Sequence, residues 1–146
     1  MTRLALLPVL ALTTTLGVAA QTQTPEMSKE MKAVQGTWVL TTANGQPMDS
    51  SGSTVSVTIT GDKYVQTADG QFVERGTMKI DGSKTPNTID LMIAEGDDAG
   101  KTQLGVIQIG DGTVTAKLAA PGAPDRPKDF ETTNDGTFTF TAKKVK

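Results

Sequence analysis

The chain has 146 residues, a formal net charge of -2 and neither cysteine nor histidine. This composition is typical of one small soluble domain, and it excludes disulfides, thiol nucleophiles, iron–sulfur clusters and any triad or zinc site that needs histidine. The acidic balance and the few aromatic residues also argue against nucleic-acid binding, which needs basic surfaces and stacking platforms.

Residues 1–20 have the order of a secretory signal peptide. Arg3 precedes an apolar stretch at 4–12, and small residues at 18–20 precede Gln21. The stretch is shorter than the roughly 20 residues that span a bilayer, so a retained anchor helix is the less favoured alternative and no membrane span is expected after cleavage. We expect an exported protein, periplasmic or extracellular, whose fold holds without disulfides.

The segment after the predicted signal peptide carries one helical pattern. Met27, Met31 and Val34 fall at helical spacing, which predicts a short helical turn over 26–34. The expected organisation is therefore a signal peptide, an N-terminal segment with this turn, and one domain: 1–20, 21–33 and 34–146.

After Gln35 the apolar period drops to two, which predicts an all-β domain. Turn residues separate eight candidate strands: 36–42, 54–60, 63–67, 71–80, 87–93, 102–109, 113–118 and 136–143. Tight-turn signals at Gly61-Asp62, Asp69-Gly70 and 110–112 join neighbouring strands as hairpins, so the strands are expected to form an antiparallel up-and-down meander.

Alternation along the strands assigns one apolar face to each. The residues predicted to face inward are Val55, Val57 and Ile59; Phe72, Glu74, Gly76, Met78 and Ile80; Ile89, Leu91 and Ile93; and Phe138 and Phe140. A meander with a single apolar face removes its edges by closing on itself. We therefore predict an eight-stranded antiparallel β-barrel, with a two-sheet sandwich as the alternative.

Gly36-Thr37-Trp38 opens the first predicted strand directly after the helical turn. This tripeptide resembles the Gly-x-Trp signature of lipocalins and other calycins. The resemblance implies that Trp38 closes one end of the barrel and that a basic side chain packs across its ring, with Arg126, Lys143 and Lys144 as candidates. From the residues alone, a core Trp38 whose indole N–H bonds to backbone is favoured over a ligand contact. Gly36, Trp38 and Arg126 are thus expected to be structural.

The chain carries a longer series of motifs between about 33 and 145: Val34-Gln35-Gly36-Thr37-Trp38, Asn44-Gly45-Gln46-Pro47, Gly61-Asp62-Lys63-Tyr64, Gly76-Thr77-Met78-Lys79-Ile80-Asp81, Ser83-Lys84-Thr85-Pro86, Ile89-Asp90-Leu91, Gly100-Lys101, Pro121-Gly122 and Arg126-Pro127 with Phe130. In order and spacing this series resembles an uncharacterised lipocalin-like domain of planctomycete exported proteins. The family has no established activity, so the resemblance implies a lipocalin-like fold alone. Met78 departs from the family pattern, where Phe or Tyr is commoner, and so does Val106-Ile107, where Ile-Tyr is typical.

Glu74 shares the predicted inward face with Phe72 and Met78, whereas Arg75 points the other way. A buried carboxylate is costly unless it is paired, so Glu74 is expected either near the barrel mouth or against a cation or ligand. If Glu74 anchors a polar group of a ligand, Glu74→Gln weakens binding without unfolding the protein.

The other acidic residues form no recognisable catalytic or metal-binding pattern: Asp81, Asp90, Glu95, Asp97, Asp98 and Asp111. The segment 95–100 lacks the ligand spacing of a calcium-binding loop, so a solvated acidic turn is favoured. We predict no enzyme, no cofactor and no metal site.

The leading hypothesis is an exported, non-catalytic, monomeric binding module that holds a small apolar or amphipathic molecule in the barrel. The predicted ligand-binding residues are Trp38, Leu40, Tyr64, Phe72, Glu74, Met78, Leu91, Phe138 and Phe140. The alternative is a filled barrel that acts as a protein-interaction or inhibitor module through its long loops, at 42–53, 95–101 and 119–135. The volume of the interior distinguishes the two hypotheses.

Overall fold

The computed structural model describes residues 25–131 and 135–146, so the predicted signal peptide at 1–20 lies outside the described residues. The described chain holds one short α-helix and a single antiparallel sheet. The helix, α1, is Lys29–Ala33, and the strands are β1 Gly36–Ala43, β2 Gln46–Pro47, β3 Val55–Thr60, β4 Lys63–Ala68, β5 Gln71–Asp81, β6 Asn87–Glu95, β7 Thr102–Ile109, β8 Thr113–Leu118 and β9 Phe138–Lys144.

The sheet closes into a barrel because its first and last long strands pair with each other. From β3 to β9 each strand pairs with the next along the chain, β1 pairs with β3, and β1 also pairs with β9. The short β2 pairs with the end of β1 and stands apart from the barrel wall. The prediction of an eight-stranded antiparallel barrel is confirmed, and the sandwich alternative is excluded because closure leaves no second sheet.

The predicted strands all exist, with small differences at their ends. The loop predicted after the first strand contains two elements that alternation does not reveal, β2 and a 3-10 turn at Asp49–Ser51. Both are too short to show a hydrophobic period. The helical turn predicted over 26–34 is the five-residue α1, which begins after Ser28, whose Oγ accepts a hydrogen bond from the Met31 N–H at 3.2 Å.

The inward position predicted for Phe72 is wrong, because a β-bulge interrupts the alternation of β5. Gln66 pairs with Glu74 and Thr67 pairs with Phe72, which leaves Val73 as an extra residue without a partner on β4. The extra residue turns Phe72 to the outer face, where its side chain is 48% exposed. The Arg75 guanidinium lies over its ring, 5.1 Å from the ring centroid.

The two ends of the barrel differ in what covers them. The closed end carries α1 and the short connections at 61–62, 82–86 and 110–112. Strand direction places the loops between β1 and β3, between β6 and β7, and between β8 and β9 together at the opposite end, which we call the mouth. The three loops named as a candidate interaction surface therefore gather at one end.

Part of the last of these loops folds back over the outside of the barrel. Residues 119–131, here called the outer segment, are held by Arg126, whose Nη1 donates to the carbonyl oxygens of Ile89 at 2.9 Å and Gly105 at 2.8 Å. Its Nη2 pairs with Asp90 Oδ1 at 2.6 Å. Lys117, which is buried on this outer face, donates from Nζ to the Glu131 carbonyl oxygen at 2.5 Å. Arg126 thus has a structural place, but against β6 and β7 and away from Trp38.

In the part of the chain that the structure describes, no helix is long and apolar enough to span a membrane.

Candidate ligand-binding site

The interior of the barrel contains a cavity of about 290 Å³. Inward side chains of all eight barrel strands line it, together with Val34 at the closed end and residues of two mouth loops. The lining residues are Val34, Trp38, Leu40, Val57, Ile59, Tyr64, Gln66, Glu74, Met78, Ile89, Leu91, Asp98, Gln103, Ile107, Val114, Leu118, Pro121, Phe138, Phe140 and Ala142.

Trp38 forms the floor of the cavity at the closed end. Its side chain is 2% exposed, and its indole Nε1 donates to the Val34 carbonyl oxygen at 2.7 Å. Below it, Gln35 ties the chain after α1 to the β3–β4 hairpin, because its amide donates to the Gly61 carbonyl oxygen at 2.9 Å and accepts from the Gly61 N–H at 2.8 Å. These bonds satisfy the polar groups that closure buries at this end.

The basic side chain that packs against Trp38 is that of Lys144. Its Nζ lies 5.7 Å from the ring centroid, within the range of a cation–π contact. Gly36 makes this approach possible, since a Cβ at that position would lie 3.1 Å from Lys144 Cε. Gly36 also has a φ of 107°, which side-chain-bearing residues rarely adopt. Of the three candidate cations, Arg126 binds elsewhere and Lys144 faces the ring.

Tyr64 and Glu74 form the polar centre of an otherwise apolar wall. The buried Tyr64 hydroxyl donates to Glu74 Oε1 at 2.7 Å across the β4–β5 pair. Burial raises the pKa of Tyr64 well above its ordinary value, and the hydrogen bond to Glu74 and its negative charge raise that pKa further. The phenol therefore stays protonated and remains a donor to the carboxylate.

Two glutamines add amide groups between this centre and the mouth. Gln66 is the neighbour of Glu74 across the β4–β5 pair, and both are half-buried. The Gln103 amide donates to the Ala119 carbonyl oxygen at 2.8 Å, which joins β7 to the start of the outer segment. The wall near the mouth therefore offers hydrogen-bonding groups, whereas the floor is apolar apart from the tryptophan.

The rim of the mouth is partly aromatic and partly charged. The rings of Phe138 and Phe140 lie 5.8 Å apart between centroids, and Phe138 is partly exposed. Asp98 lines the cavity from the β6–β7 loop and is paired with Lys101 Nζ at 2.8 Å. A molecule that enters the barrel would pass between these groups.

The structure brings together all of the predicted ligand-binding residues except Phe72, which the bulge at Val73 places outside. Sequence reasoning missed the polar lining residues Gln66, Gln103 and Asp98. Alternation contains a signal for Gln66, which lies two residues from Tyr64 on the same strand. The sequence contains no such signal for Asp98, because this residue lies in the β6–β7 loop, where side chains do not alternate between two faces.

Among the described residues, acidic side chains do not gather in groups of three or more that could hold a metal ion. The fold and the cavity together define a class, a closed eight-stranded antiparallel β-barrel with a mostly apolar interior cavity. Comparison of the chain with protein-family models, with curated proteins and with solved structures finds no match.

Proposed function

We propose that this protein is an exported, non-catalytic binding module that holds a small, mostly apolar molecule inside its barrel. The observation that carries the proposal is the cavity of about 290 Å³, lined by apolar side chains with a few polar groups on one part of the wall. Binding sites for small molecules have this composition, in which apolar surface provides affinity and a few polar groups set orientation.

The size of the cavity limits the ligand. An engineered apolar cavity of roughly 150 Å³ stays dry and binds benzene, so the present volume accommodates a molecule of one or two rings or an acyl chain of moderate length. An apolar cavity of this size is costly to leave empty, because its lining atoms lack dispersion partners. Occupancy by a ligand removes this cost.

The filled-barrel alternative receives less support. A packed interior would favour a barrel that acts through its loops alone, whereas this interior contains a cavity of about 290 Å³. The mouth loops do lie together at one end of the barrel. Two of them contribute residues to the cavity, so their common position is explained by their place around its entrance. We therefore place the mouth loops in the role of ligand entry.

The arrangement at the closed end supports the proposed lipocalin-like family. Gly36 and Trp38 begin the first strand, and Lys144 from the last strand crosses the indole ring. This is the arrangement that the resemblance of the Gly-x-Trp motif implies. Export and a monomeric state belong to the same proposal. Export rests on the sequence pattern of residues 1–20, and the monomeric state rests on barrel closure, which pairs each of the eight described barrel strands on both sides.

The test uses the single tryptophan at the cavity floor. The purified protein is titrated with N-phenyl-1-naphthylamine, an uncharged fluorophore, and energy transfer from Trp38 is followed. We expect saturable transfer that an uncharged aliphatic alcohol displaces, and the same titration in denaturant serves as the control. Absence of transfer to a folded protein, or transfer that no competitor displaces, would overturn the proposal.

A further inference from the structure

The charges around the cavity are of one sign. The ionisable side chains that line it are Glu74 and Asp98, with the protonated Tyr64. Among the residues that the structure describes, no lysine or arginine lines the cavity. A ligand that enters therefore meets carboxylates, and the described lining offers no cation to neutralise a negatively charged ligand.

Of the cations that adjoin the cavity wall, Lys101 pairs with a cavity carboxylate, and Arg75 and Lys144 contact other groups. Arg75, the neighbour of Glu74, lies on the outer face, where it pairs with Glu95 at 2.8 Å. Lys101 neutralises Asp98 at the rim, at 2.8 Å. Lys144 lies at the closed end against the Trp38 ring. Of the two cavity carboxylates, Asp98 is paired with a lysine, whereas Glu74 forms no ion pair with any described residue.

Glu74 also has unused capacity to accept hydrogen bonds. Its described hydrogen-bond partner is the Tyr64 hydroxyl, which uses one acceptor site of Oε1 at 2.7 Å. A carboxylate has about four acceptor sites, so most of them remain for a donor that enters the cavity. The Tyr64 proton is committed to Glu74, so this hydroxyl does not provide a donor to an incoming anion.

An ammonium group fits this arrangement and a carboxylate does not. An alkylammonium next to Glu74 donates several charge-assisted hydrogen bonds, and its apolar tail can lie along the side chains toward Trp38. A ligand carboxylate at the same place would put two like charges together in a site of low polarity and would leave both short of donors.

We propose that the barrel selects amphipathic amines, meaning molecules with an ammonium head and an apolar tail, over carboxylates of the same size, and that Glu74 determines this selectivity. The inference rests on the proposed function, because it concerns the chemistry of a ligand in the same cavity. Its signature is a difference among ligands that share one tail and differ in the head group.

The experiment compares octylamine, octanol and octanoate by calorimetric titration of the full chain at neutral pH, below the solubility limit of octanol and the micelle concentrations of the two charged ligands. A hydrogen bond to a charged group contributes more binding free energy than a hydrogen bond between neutral groups. The difference corresponds to about a tenfold change in affinity. We expect octylamine to bind about tenfold more tightly than octanol, and octanoate to bind at least about tenfold more weakly than octanol.

Glu74→Gln keeps the shape of the side chain and an acceptor for Tyr64, but it removes the negative charge. We expect this variant to lose the preference for octylamine, so that octylamine and octanol bind it with similar affinity. The matched control is Glu95→Gln, which removes the same charge from the outer face, where Glu95 pairs with Arg75. It should leave the order of the three ligands unchanged.

The outcomes separate the two proposals. If octanol and octylamine both fail to bind, the proposed function is overturned, and the inference falls with it. If octanol binds and octylamine shows no advantage, or octanoate binds as well as octanol, the binding function stands and the amine selectivity is overturned. Equal loss of octylamine preference in Glu74→Gln and Glu95→Gln would assign the effect to net charge and would overturn the role of Glu74.

Discussion

Gly36 lies where the chain passes from α1 into the first strand, and its lack of a side chain has two consequences. Its φ of 107° suits the turn into β1, and the space at its α-carbon is occupied by the Lys144 side chain that covers Trp38. Local backbone geometry and the cover of the buried indole therefore depend on the same residue.

Gly36→Ala should lower the free energy of unfolding by about 1–3 kcal/mol, because it combines an unfavourable φ with the displacement of Lys144. Chemical denaturation followed by Trp38 fluorescence measures the change. The control is Gly110→Ala, at a glycine without positive φ whose added Cβ would have an ordinary contact of 3.4 Å. A loss in Gly110→Ala as large as that in Gly36→Ala would contradict this account.

Tyr64 is the chain's one tyrosine, so its ionisation is directly visible in the ultraviolet absorbance of phenolate. Because burial and Glu74 raise its pKa in the folded state, the phenol should not ionise near the ordinary value of about 10. The unfolded chain does release this proton there. The free energy of unfolding is therefore expected to be independent of Tyr64 below pH about 10 and to fall as the pH rises further.

Two variants check this expectation. Tyr64→Phe should lose less stability at alkaline pH, because it has no phenol that ionises on unfolding. Glu74→Gln should lower the pKa of Tyr64 only in part, because burial raises that pKa more than Glu74 does. A rise of phenolate absorbance near pH 10 in the folded protein would contradict the raised pKa of Tyr64 and its cause, burial against Glu74.

At the scale of elements, Gln103 and Lys117 hold the two ends of the outer segment, and Arg126 attaches its middle to the barrel wall. Arg126 reaches two backbone carbonyl groups and Asp90, so it joins the loop after β8 to both β6 and β7. The start of the same segment contributes Pro121 to the cavity. The attachment on the outside therefore affects the position of the mouth on the inside.

Arg126→Ala should destabilise the protein by about 1–3 kcal/mol, because it leaves part-buried carbonyl groups and Asp90 without their donor. It should also speed trypsin cleavage after the exposed Lys128 in the outer segment. Arg75→Ala is the matched control, since the Arg75–Glu95 pair is exposed at 53% and 55% and contributes at most about 1 kcal/mol. Equal cleavage rates in both variants would argue against the attachment.

The β4–β5 hairpin shows how one residue changes the face of an element. Strand alternation alone assigns Phe72 and Glu74 to the same side, and the extra residue Val73 separates them. The bulge follows from the pairing of β5 with β4, which no pattern within β5 reveals. The consequence is a cavity with fewer aromatic side chains than the alternation predicts.

At the scale of the whole molecule, the barrel combines a closed wall with an incompletely filled interior. Closure pairs every long strand on both sides, so the wall does not need a dense core to keep its edges satisfied. The interior is consequently free to retain a cavity of about 290 Å³. Stability and ligand binding are expected to oppose each other at this place.

Val57→Phe tests this opposition, because Val57 lines the cavity from β3 and the added ring enters it. We expect the affinity for an apolar ligand to fall at least about tenfold while the barrel stays folded, with the midpoint of thermal unfolding equal or higher. Val65→Phe is the control on the outer face of β4, where Val65 is 37% exposed, and it should leave binding unchanged. Undiminished binding in a folded Val57→Phe would place the ligand outside the barrel.

The sequence alone determined the eight barrel strands, their antiparallel order and most of the lining, because alternation and tight-turn residues act over a few neighbouring positions. Closure was predicted with a sandwich as the alternative, and the pairing of β1 with β9 decided it. The sequence also identified the glycine and tryptophan at the closed end. The tertiary structure decided the outward position of Phe72, the choice of Lys144 over Arg126 at Trp38, the bond between Tyr64 and Glu74 and the volume left inside. These properties depend on register and on the summed volumes of side chains from distant strands, which meet only when the sheet closes.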